Sequence, residues 1–156
     1  MIAIRTYSPT DAEQVALIMQ SATRELRAIY VPKPADKTEL REQSISAKRI
    51  VAVDNSGTVV GVAEFIIRTS EVYAQGIAVA ASHRRHRVAT ALLSHIAALA
   101  AELSIPEIQV TTIKETGNVK IFKRMGFNMI EERTSERFLG LNEQPVTEVT
   151  LRLSAG

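Results

Sequence analysis

Hydrophobic and polar positions recur along this chain with two different spacings, and their order predicts the elements of the fold. Residues 2–6 alternate between apolar and polar, which predicts a short first strand. Thr10 or Asp11 then caps a helix, and Tyr30-Val-Pro-Lys-Pro34 interrupts its pattern before a weaker helical stretch at about residues 37–46. The apolar face of the first helix is formed by Val15, Ile18, Met19 and Ala22 and is continued by Leu26 and Ile29.

Three strands are predicted in the segment that follows. Residues 49–53 and 59–68 are rich in Val, Ile and Ala and flank Asp54-Asn-Ser-Gly57, which is typical of a hairpin turn. Residues 71–79 form the next apolar segment of strand length. The pattern therefore predicts an antiparallel meander in the middle of the chain.

A long amphipathic helix is predicted over residues 87–103. Its core-facing stripe consists of Val88, Leu92, Ile96, Leu99 and Leu103. A strand then opens at Pro106, and a short helix over residues 117–125 ends at Gly126 in a left-handed conformation. The apolar face of that strand is formed by Ile108, Val110 and Thr112.

The two final strands are predicted at residues 127–133 and 147–153, and the polar residues 135–145 between them are predicted as a loop. Meandering strands followed by a strand–helix–strand crossover indicate a mixed sheet flanked by helices. With 156 residues and no internal repeat or linker, the chain is expected to form one domain over residues 1–156.

The composition excludes several classes of protein. The formal net charge is +2 and aromatic residues make up 4% of the chain, whereas a nucleic-acid binder carries a larger basic excess with stacking aromatics. There is no cysteine, which excludes disulfides and thiolate chemistry. No apolar run approaches the roughly 20 residues that span a bilayer, no signal peptide opens the sequence, and the three histidines lack metal-ligand spacing. We therefore expect a cytoplasmic protein without a metal or a membrane partner.

One cluster of positive charge lies at the start of the long helix, in the sequence His83-Arg-Arg-His-Arg87. An apolar strand enters this turn and an Ala-rich helix leaves it, so several backbone N–H groups would lie at the positive end of the helix and could hold phosphate oxygens. Arginine has the wrong sign for a helix amino terminus. The residues therefore favour an anionic ligand over a solvated loop of charges, and leave the identity of the anion open.

Four segments carry the motifs of one family in the right order. Arg84 and Ala89 match the ends of a loop that reads Gln or Arg, two residues, Gly, one residue, Gly or Ala. Arg124-Met-Gly-Phe127 matches a short helix ending, residues 51–63 a central hairpin, and residues 4–12 a first strand and helix. Together they resemble the GNAT superfamily of N-acetyltransferases over nearly the whole chain. The resemblance implies a GNAT-like α/β (α+β) fold with a mixed, mostly antiparallel sheet of six to seven strands and about four helices.

The resemblance implies acetyl-CoA as the acyl donor and a primary amine of a small molecule or peptide as the acceptor, with direct transfer between them. The backbone of the strand that ends at Val79 would pair with the pantetheine arm, and the N–H groups of residues 84–90 would hold the pyrophosphate. The residues expected to bind acetyl-CoA are Ile77, Ala78, Val79, Arg84, Arg85, His86, Arg87, Val88, Ala89, Thr90, Asn118 and Phe122. The amine would enter from the opposite side, between the early helices and residues 135–145.

Two residues depart from the family pattern. Arg87 stands at the first glycine of the loop, where it is harmless if the turn keeps helical geometry. If the turn is distorted we expect CoA affinity to fall, because arginine tolerates a left-handed conformation poorly. Phe122 stands where the family often has a tyrosine that protonates the departing thiolate, so we assign no general acid.

The sequence offers two residues for the catalytic chemistry. Glu64 lies in an apolar strand, where a carboxylate is paired, functional or solvent-facing. Tyr73 either contributes a hydroxyl near the reacting centre or packs as a half-buried core residue. The alternative to an enzyme is a non-catalytic acyl-CoA-binding or regulatory domain on the same fold. Homodimerisation through the final strands is common in the family and stays an option for this chain.

Overall fold

The computed structural model describes residues 1–33 and 47–155. The helices are α1 (Ala12–Leu26), α2 (Val88–Glu102) and α3 (Asn118–Arg124). The strands are β1 (Ala3–Thr6), β2 (Tyr30–Pro32), β3 (Lys48–Val53), β4 (Val59–Ile67), β5 (Val72–Val79), β6 (Glu107–Ile113), β7 (Asn128–Gly140) and β8 (Pro145–Ser154). Short 3₁₀ turns lie at Pro9–Asp11, Ala81–His83, Lys114–Thr116 and Leu141–Glu143. The weaker helix expected at about residues 37–46 lies outside the described residues.

The strands form one sheet in the order β1-β3-β4-β5-β6-β8-β7-β2. All neighbouring strands are antiparallel except β5 and β6, which run parallel because α2 carries the chain back across the sheet between them. The expected mixed, mostly antiparallel α/β fold is confirmed. The sheet has eight strands rather than six to seven, and the described residues contain three α-helices where about four were expected.

The additional strand lies in the segment that interrupts the first helical pattern. β2 pairs antiparallel with residues 138–140 at the edge of the sheet. Proline is tolerated at such an edge because no further strand needs its missing N–H, so Pro32 ended the helical pattern without preventing a strand.

The loop expected over residues 135–145 is wrong, because β7 continues to Gly140 and only residues 141–144 form the connection to β8. Ser135 bonds β7 to β8 at this point. Its hydroxyl donates to the buried Glu148 at 2.7 Å and accepts the N–H group of Phe138 at 3.0 Å. Polar residues that bond across to β8 therefore gave this strand the composition of a loop.

The core lies on both faces of the sheet. On one face α2 buries Val88, Leu92 and Ile96 against the strands, as its predicted stripe requires, whereas Leu103 follows the helix and is 47% exposed. On the other face Val15 and Ile18 of α1 pack on Val51, Val59, Val62 and Ala78. Helix α1 ends at Leu26, so Ile29 does not continue its apolar face. Because α1 and α2 cover opposite faces of the sheet, the end of β5 near Val79 lies between them.

Candidate functional site

The two parallel strands at the centre of the sheet separate halfway along β5. β5 pairs with β6 only from Val72 to Ala74, opposite Ile108 to Val110. Beyond that point β6 continues beside β8, while residues 75–79 of β5 have no strand partner on this side among the described residues. The predicted pantetheine residues Ile77, Ala78 and Val79 lie in this unpaired part. Their backbone groups face the gap between the diverging strands β5 and β6, which we call the open wedge.

A β-bulge lies at the point of separation. Val62 pairs with Ala78 and Glu64 with Gln75, so that Gly76 and Ile77 together oppose a single residue of β4. Gly76 has φ +59°, a conformation that favours glycine. A Cβ on Gly76 would lie 3.6 Å from the Glu64 side chain. The bulge therefore brings the Glu64 carboxylate next to the backbone where the wedge opens.

The turn between β5 and α2 does not have simple helical geometry. Arg84 is extended, and Arg85 and Arg87 are left-handed, with φ 67° and 59°. Helix α2 begins at Val88, which is buried. The backbone N–H groups of Arg84, Arg85 and residues 87–90 donate to no acceptor within residues 1–33 and 47–155. Of the two geometries considered for Arg87, the structure has the left-handed one.

The side chains of this turn divide into two sets. Arg84 Nη1 donates to Glu25 Oε1 on α1 at 2.6 Å. Arg85, His86 and Arg87 are exposed and form no ion pair with any described residue. The turn therefore combines donor N–H groups with positive charge that faces solvent.

His83 fastens the turn to the β3–β4 hairpin. Its Nε2 lies 3.5 Å from Asp54 Oδ2, and its Nδ1 lies 2.8 Å from the Ser82 hydroxyl. The pKa of Asp54 is lowered, chiefly by the hydrogen bond from the Ser56 side chain, then by that from the Thr58 N–H group, with a smaller contribution from His83. Asp54 is thus a carboxylate whose hydrogen bonds stabilise the hairpin turn.

Close packing fixes the start of α2 over the sheet. A Cβ on Gly61 of β4 would lie 2.7 Å from Val88 Cγ1 and 3.3 Å from Leu92 Cδ1. The missing side chain at Gly61 lets the first turn of α2 approach the strand beside β5. This contact, which the sequence did not indicate, sets the position of the N–H groups relative to the open wedge.

Asn118 and Phe122 lie on α3, which follows β6. The Asn118 N–H group donates to Thr116 Oγ1 at 3.2 Å, after Gly117 in a left-handed conformation. The Phe122 ring packs edge-on against Phe127, with ring centroids 5.5 Å apart, and against the core under α2. Phe122 is therefore a half-buried packing residue in this structure.

Glu64 and Tyr73 lie on the face of the sheet that α1 covers. The Glu64 side chain is 13% exposed and is an ion-pair partner of Arg49, whose Nε donates to Oε1 at 2.8 Å. Gln75 Nε2 donates to its other oxygen at 3.3 Å. Tyr73 packs under the Arg68 guanidinium, 4.7 Å from the ring centroid, and its hydroxyl bonds to no described residue. Of the three readings given for Glu64, the structure shows a paired carboxylate.

Two absences apply to the residues described. Residues 1–33 and 47–155 contain no group of three or more His, Asp or Glu side chains arranged to hold a metal ion. Within the same ranges no helix is long and apolar enough to cross a membrane.

The acetyltransferase (GNAT) family model matches residues 16–127, more than two thirds of the chain. No curated protein matches the chain. The solved structures that it is similar to include an N-acetyltransferase from Staphylococcus aureus Mu50, with 18% identity, 100% of this chain and 99% of that chain covered, and a TM-score of 0.75. They also include spermidine N-acetyltransferase from Vibrio cholerae in complex with CoA and spermine, with 17% identity, 99% and 95% coverage and a TM-score of 0.74. The ribosomal-protein-S18-alanine N-acetyltransferase from Escherichia coli has 16% identity, 100% and 95% coverage and a TM-score of 0.73.

At these identities the structural similarities show the fold alone, while the family model covers both the bulged strand and the cationic turn. The chain belongs to the acetyltransferase (GNAT) family.

Proposed function

We propose that the protein is an acetyl-CoA-dependent N-acetyltransferase that transfers an acetyl group directly to a primary amine of a small molecule or peptide. One observation carries this proposal. β5 leaves β6 after Ala74, and the unpaired strand leads into a turn with free N–H groups at the start of α2. Acetyl-CoA has an extended, amide-containing pantetheine arm that ends in a pyrophosphate. These two parts match the unpaired strand and the turn in the same order.

The turn is suited to a pyrophosphate for two reasons. Its free N–H groups at residues 87–90 lie at the positive end of α2, where phosphate oxygens are stabilised. The exposed guanidinium group of Arg85 adds charge-assisted hydrogen bonds, and Arg87 contributes its backbone N–H group. His86 borders the same surface. We assign the pyrophosphate to this turn, with Arg84 as a further ligand when it is released from Glu25.

The open wedge is suited to the pantetheine arm. The backbone of residues 75–79 has unpaired groups on the side where β6 diverges. Ile77 and Val79 pack toward the core under α2, and Ala78 packs toward α1, so the strand keeps its place without a neighbour on the β6 side. On the far side of the wedge, α3 carries Asn118 and Phe122, and the half-buried Phe122 ring would pack beside the arm.

Acetyl-CoA would supply a thioester carbonyl carbon for attack by a neutral amine. The C–N bond forms, the C–S bond breaks, and the amine loses one proton. We assign that proton to Glu64, directly or through water, because its carboxylate lies beside the bulge on the α1 face. N–H groups of the bulge, where Gly76 and Ile77 oppose one residue of β4, are assigned to the developing oxyanion. The thiolate leaves without a donor from Phe122.

One observation favours the alternative, a non-catalytic acyl-CoA-binding domain. Phe122 stands where the family often has a proton-donating tyrosine, and it has no proton to give. Such a domain would bind the cofactor at the same wedge and turn, and would release no thiol in the presence of amines. Homodimerisation through the final strands stays a prediction, which light scattering of the purified protein tests.

Binding of acetyl-CoA is the first test. We expect calorimetry to show a single site in the wild-type protein and weaker binding in Arg84→Ala. Arg152→Ala is the matched control, since it removes the same charge from β8, where the side chain pairs with Glu107. Equal binding by both variants would move the phosphate site away from this turn, and no binding by the wild type would overturn the proposed function.

Turnover separates the enzyme from the binding domain. Thiol release from acetyl-CoA is measured with spermidine and with an alanine peptide, because spermidine and alanine appear in the names of two of the similar structures. A larger panel of primary amines follows. We expect amine-dependent release that Glu64→Gln reduces about 100-fold, within the usual range for a general base. Tight binding without release by any amine would support the alternative.

A further inference from the structure

A row of polar side chains crosses the α1 face of the sheet and ends where the wedge opens. The Tyr7 N–H group donates to the Arg49 carbonyl at 3.1 Å, which places Tyr7 beside Arg49. Arg49 lies directly opposite Glu64, and Glu64 directly opposite Gln75. We call these four residues the polar row. Glu64 lies two strands in from the edge, in a strand whose other residues are apolar, so such a row needs an explanation.

The two oxygens of Glu64 are in different environments. Oε1 accepts from Arg49 Nε at 2.8 Å, a short charge-assisted bond. Oε2 accepts from Gln75 at 3.3 Å, a longer bond from a neutral amide. Oε2 is also the oxygen next to the bulge, because a Cβ on Gly76 would lie 3.8 Å from it. The carboxylate is therefore held through one oxygen, and its more weakly bound oxygen lies at the bulge.

Arg49 is itself fixed from two sides. Its guanidinium lies over the Tyr7 ring, with Cζ 5.5 Å from the centroid. Its strand position is set by pairing with both β1 and β4. An arginine that is stacked and hydrogen-bonded in this way orients its partner, which a lysine with its flexible ammonium would do less well. Arg49 thus has the features of a residue that acts through Glu64.

We propose that Arg49 is a positioning residue for the acetyl transfer. It binds Oε1 of Glu64, holds the carboxylate beside Gly76, and leaves Oε2 at the bulge to take the proton of the acceptor amine. This inference rests on the proposed function and on Glu64 as the base. Arg49 does not touch the amine or the thioester, so its removal acts on the rate rather than on acetyl-CoA binding.

Few other charged or titratable groups adjoin this carboxylate in the described part of the chain. Tyr7 lies behind Arg49 on the β1 side. On the β5 side Tyr73 lies two residues from Gln75 and packs under Arg68, which pairs with Glu71. On the same face, helix α1 packs on Val62 and Ala78 through Val15 and Ile18, which carry no charge. Arg49 is therefore the positive charge nearest to Glu64 among these groups.

The test compares Arg49→Gln with Lys48→Gln. Both variants remove one positive charge from β3, but Lys48 lies opposite Phe65 and is exposed on the other side of the strand. In Arg49→Gln we expect kcat with the best amine of the panel to fall about tenfold, with the KM for acetyl-CoA unchanged. Lys48→Gln matches the wild type in both.

A second measurement does not require turnover. Crystal structures of the two variants show whether the Glu64 carboxylate keeps its place beside Gly76. We expect Oε2 to leave the bulge in Arg49→Gln and to stay there in Lys48→Gln. If neither the position of the carboxylate nor kcat responds to Arg49→Gln, the positioning role is wrong while the proposed function stands. If the wild type fails to bind acetyl-CoA, the proposed function is wrong, and the structures show separately whether Arg49 holds Glu64 in place.

Discussion

Arg84 Nη1 and Glu25 Oε1 lie 2.6 Å apart and join the cationic turn to the last turn of α1. Both side chains are substantially exposed, at 40% and 57%. An exposed ion pair contributes only about 0.2–1 kcal/mol. A phosphate group at the turn would accept from the free N–H groups of residues 87–90 as well as from Arg84, so it would displace Glu25.

Glu25→Gln is expected to bind acetyl-CoA more tightly than the wild type, by up to about fivefold, because the competing carboxylate is gone. Calorimetry measures the dissociation constants. Glu13→Gln is the control, since Glu13 is an exposed acid on the same helix at its other end. Weaker binding by Glu25→Gln would show instead that Glu25 holds Arg84 in place for the phosphate.

Arg87→Gly is expected to stabilise the fold by about 1 kcal/mol, because Arg87 is left-handed and this conformation costs roughly that much for a residue with a side chain. Acetyl-CoA binding is expected to be preserved or improved. Urea unfolding and calorimetry measure the two effects. Arg87→Ala separates them, since it removes the guanidinium and keeps the backbone cost. A large loss of affinity in both variants would show that the Arg87 side chain is a ligand.

Gly61→Ala is expected to destabilise the protein by about 1–3 kcal/mol, because the new Cβ would lie 2.7 Å from Val88 Cγ1. The same clash moves the first turn of α2 away from β4, so acetyl-CoA affinity should fall as well. Adding Val88→Ala to Gly61→Ala removes the clashing methyl group. We expect the double variant to recover cofactor affinity relative to Gly61→Ala, and no recovery would contradict the role of this contact.

Most of the fold followed from the sequence because its segments have strong local patterns. The hairpin turn Asp54-Asn-Ser-Gly57 and the stripe that begins with Val88 and Leu92 were predicted at the right places. The failures have a common physical cause. β2 is the edge strand and pairs with the second half of β7, and in both segments Pro32 or polar residues such as Ser135 break the apolar alternation that marks a strand.

The site was only partly predictable for a different reason. The cationic turn is contiguous in sequence, so its charge pattern could be recognised. The Arg49–Glu64 pair depends on register, and a bulge between Ala52 and Val53 shifts the hairpin by one residue. Counting outward from the turn would place Arg49 opposite Ala63. Irregularities of this kind have no local signature, and neither does the contact of Arg84 with Glu25, 59 residues earlier in the chain.

The last prediction concerns stability at low pH. Asp11 is buried and accepts two hydrogen bonds from the Arg5 guanidinium at 2.8 Å and one from the Ser8 N–H group at 2.9 Å. These interactions, led by the Arg5 side chain, lower the pKa of Asp11 from 3.8 to about 2. A carboxyl whose pKa is lowered by folding stabilises the folded state fully at any pH above the pKa that it has in the unfolded chain. This contribution is lost as the pH falls from about 4 toward 2.

Asp11→Asn is therefore expected to be less stable than the wild type at neutral pH, with a difference that shrinks as the pH falls through that range. Urea unfolding at about pH 7 and about pH 3 measures the free energy of unfolding of both proteins. Glu13→Gln is the control, because this neighbouring acid is exposed and forms no ion pair with a described residue. A difference between wild type and Asp11→Asn that stays constant with pH would show that Asp11 acts through its hydrogen-bonding shape and not its charge.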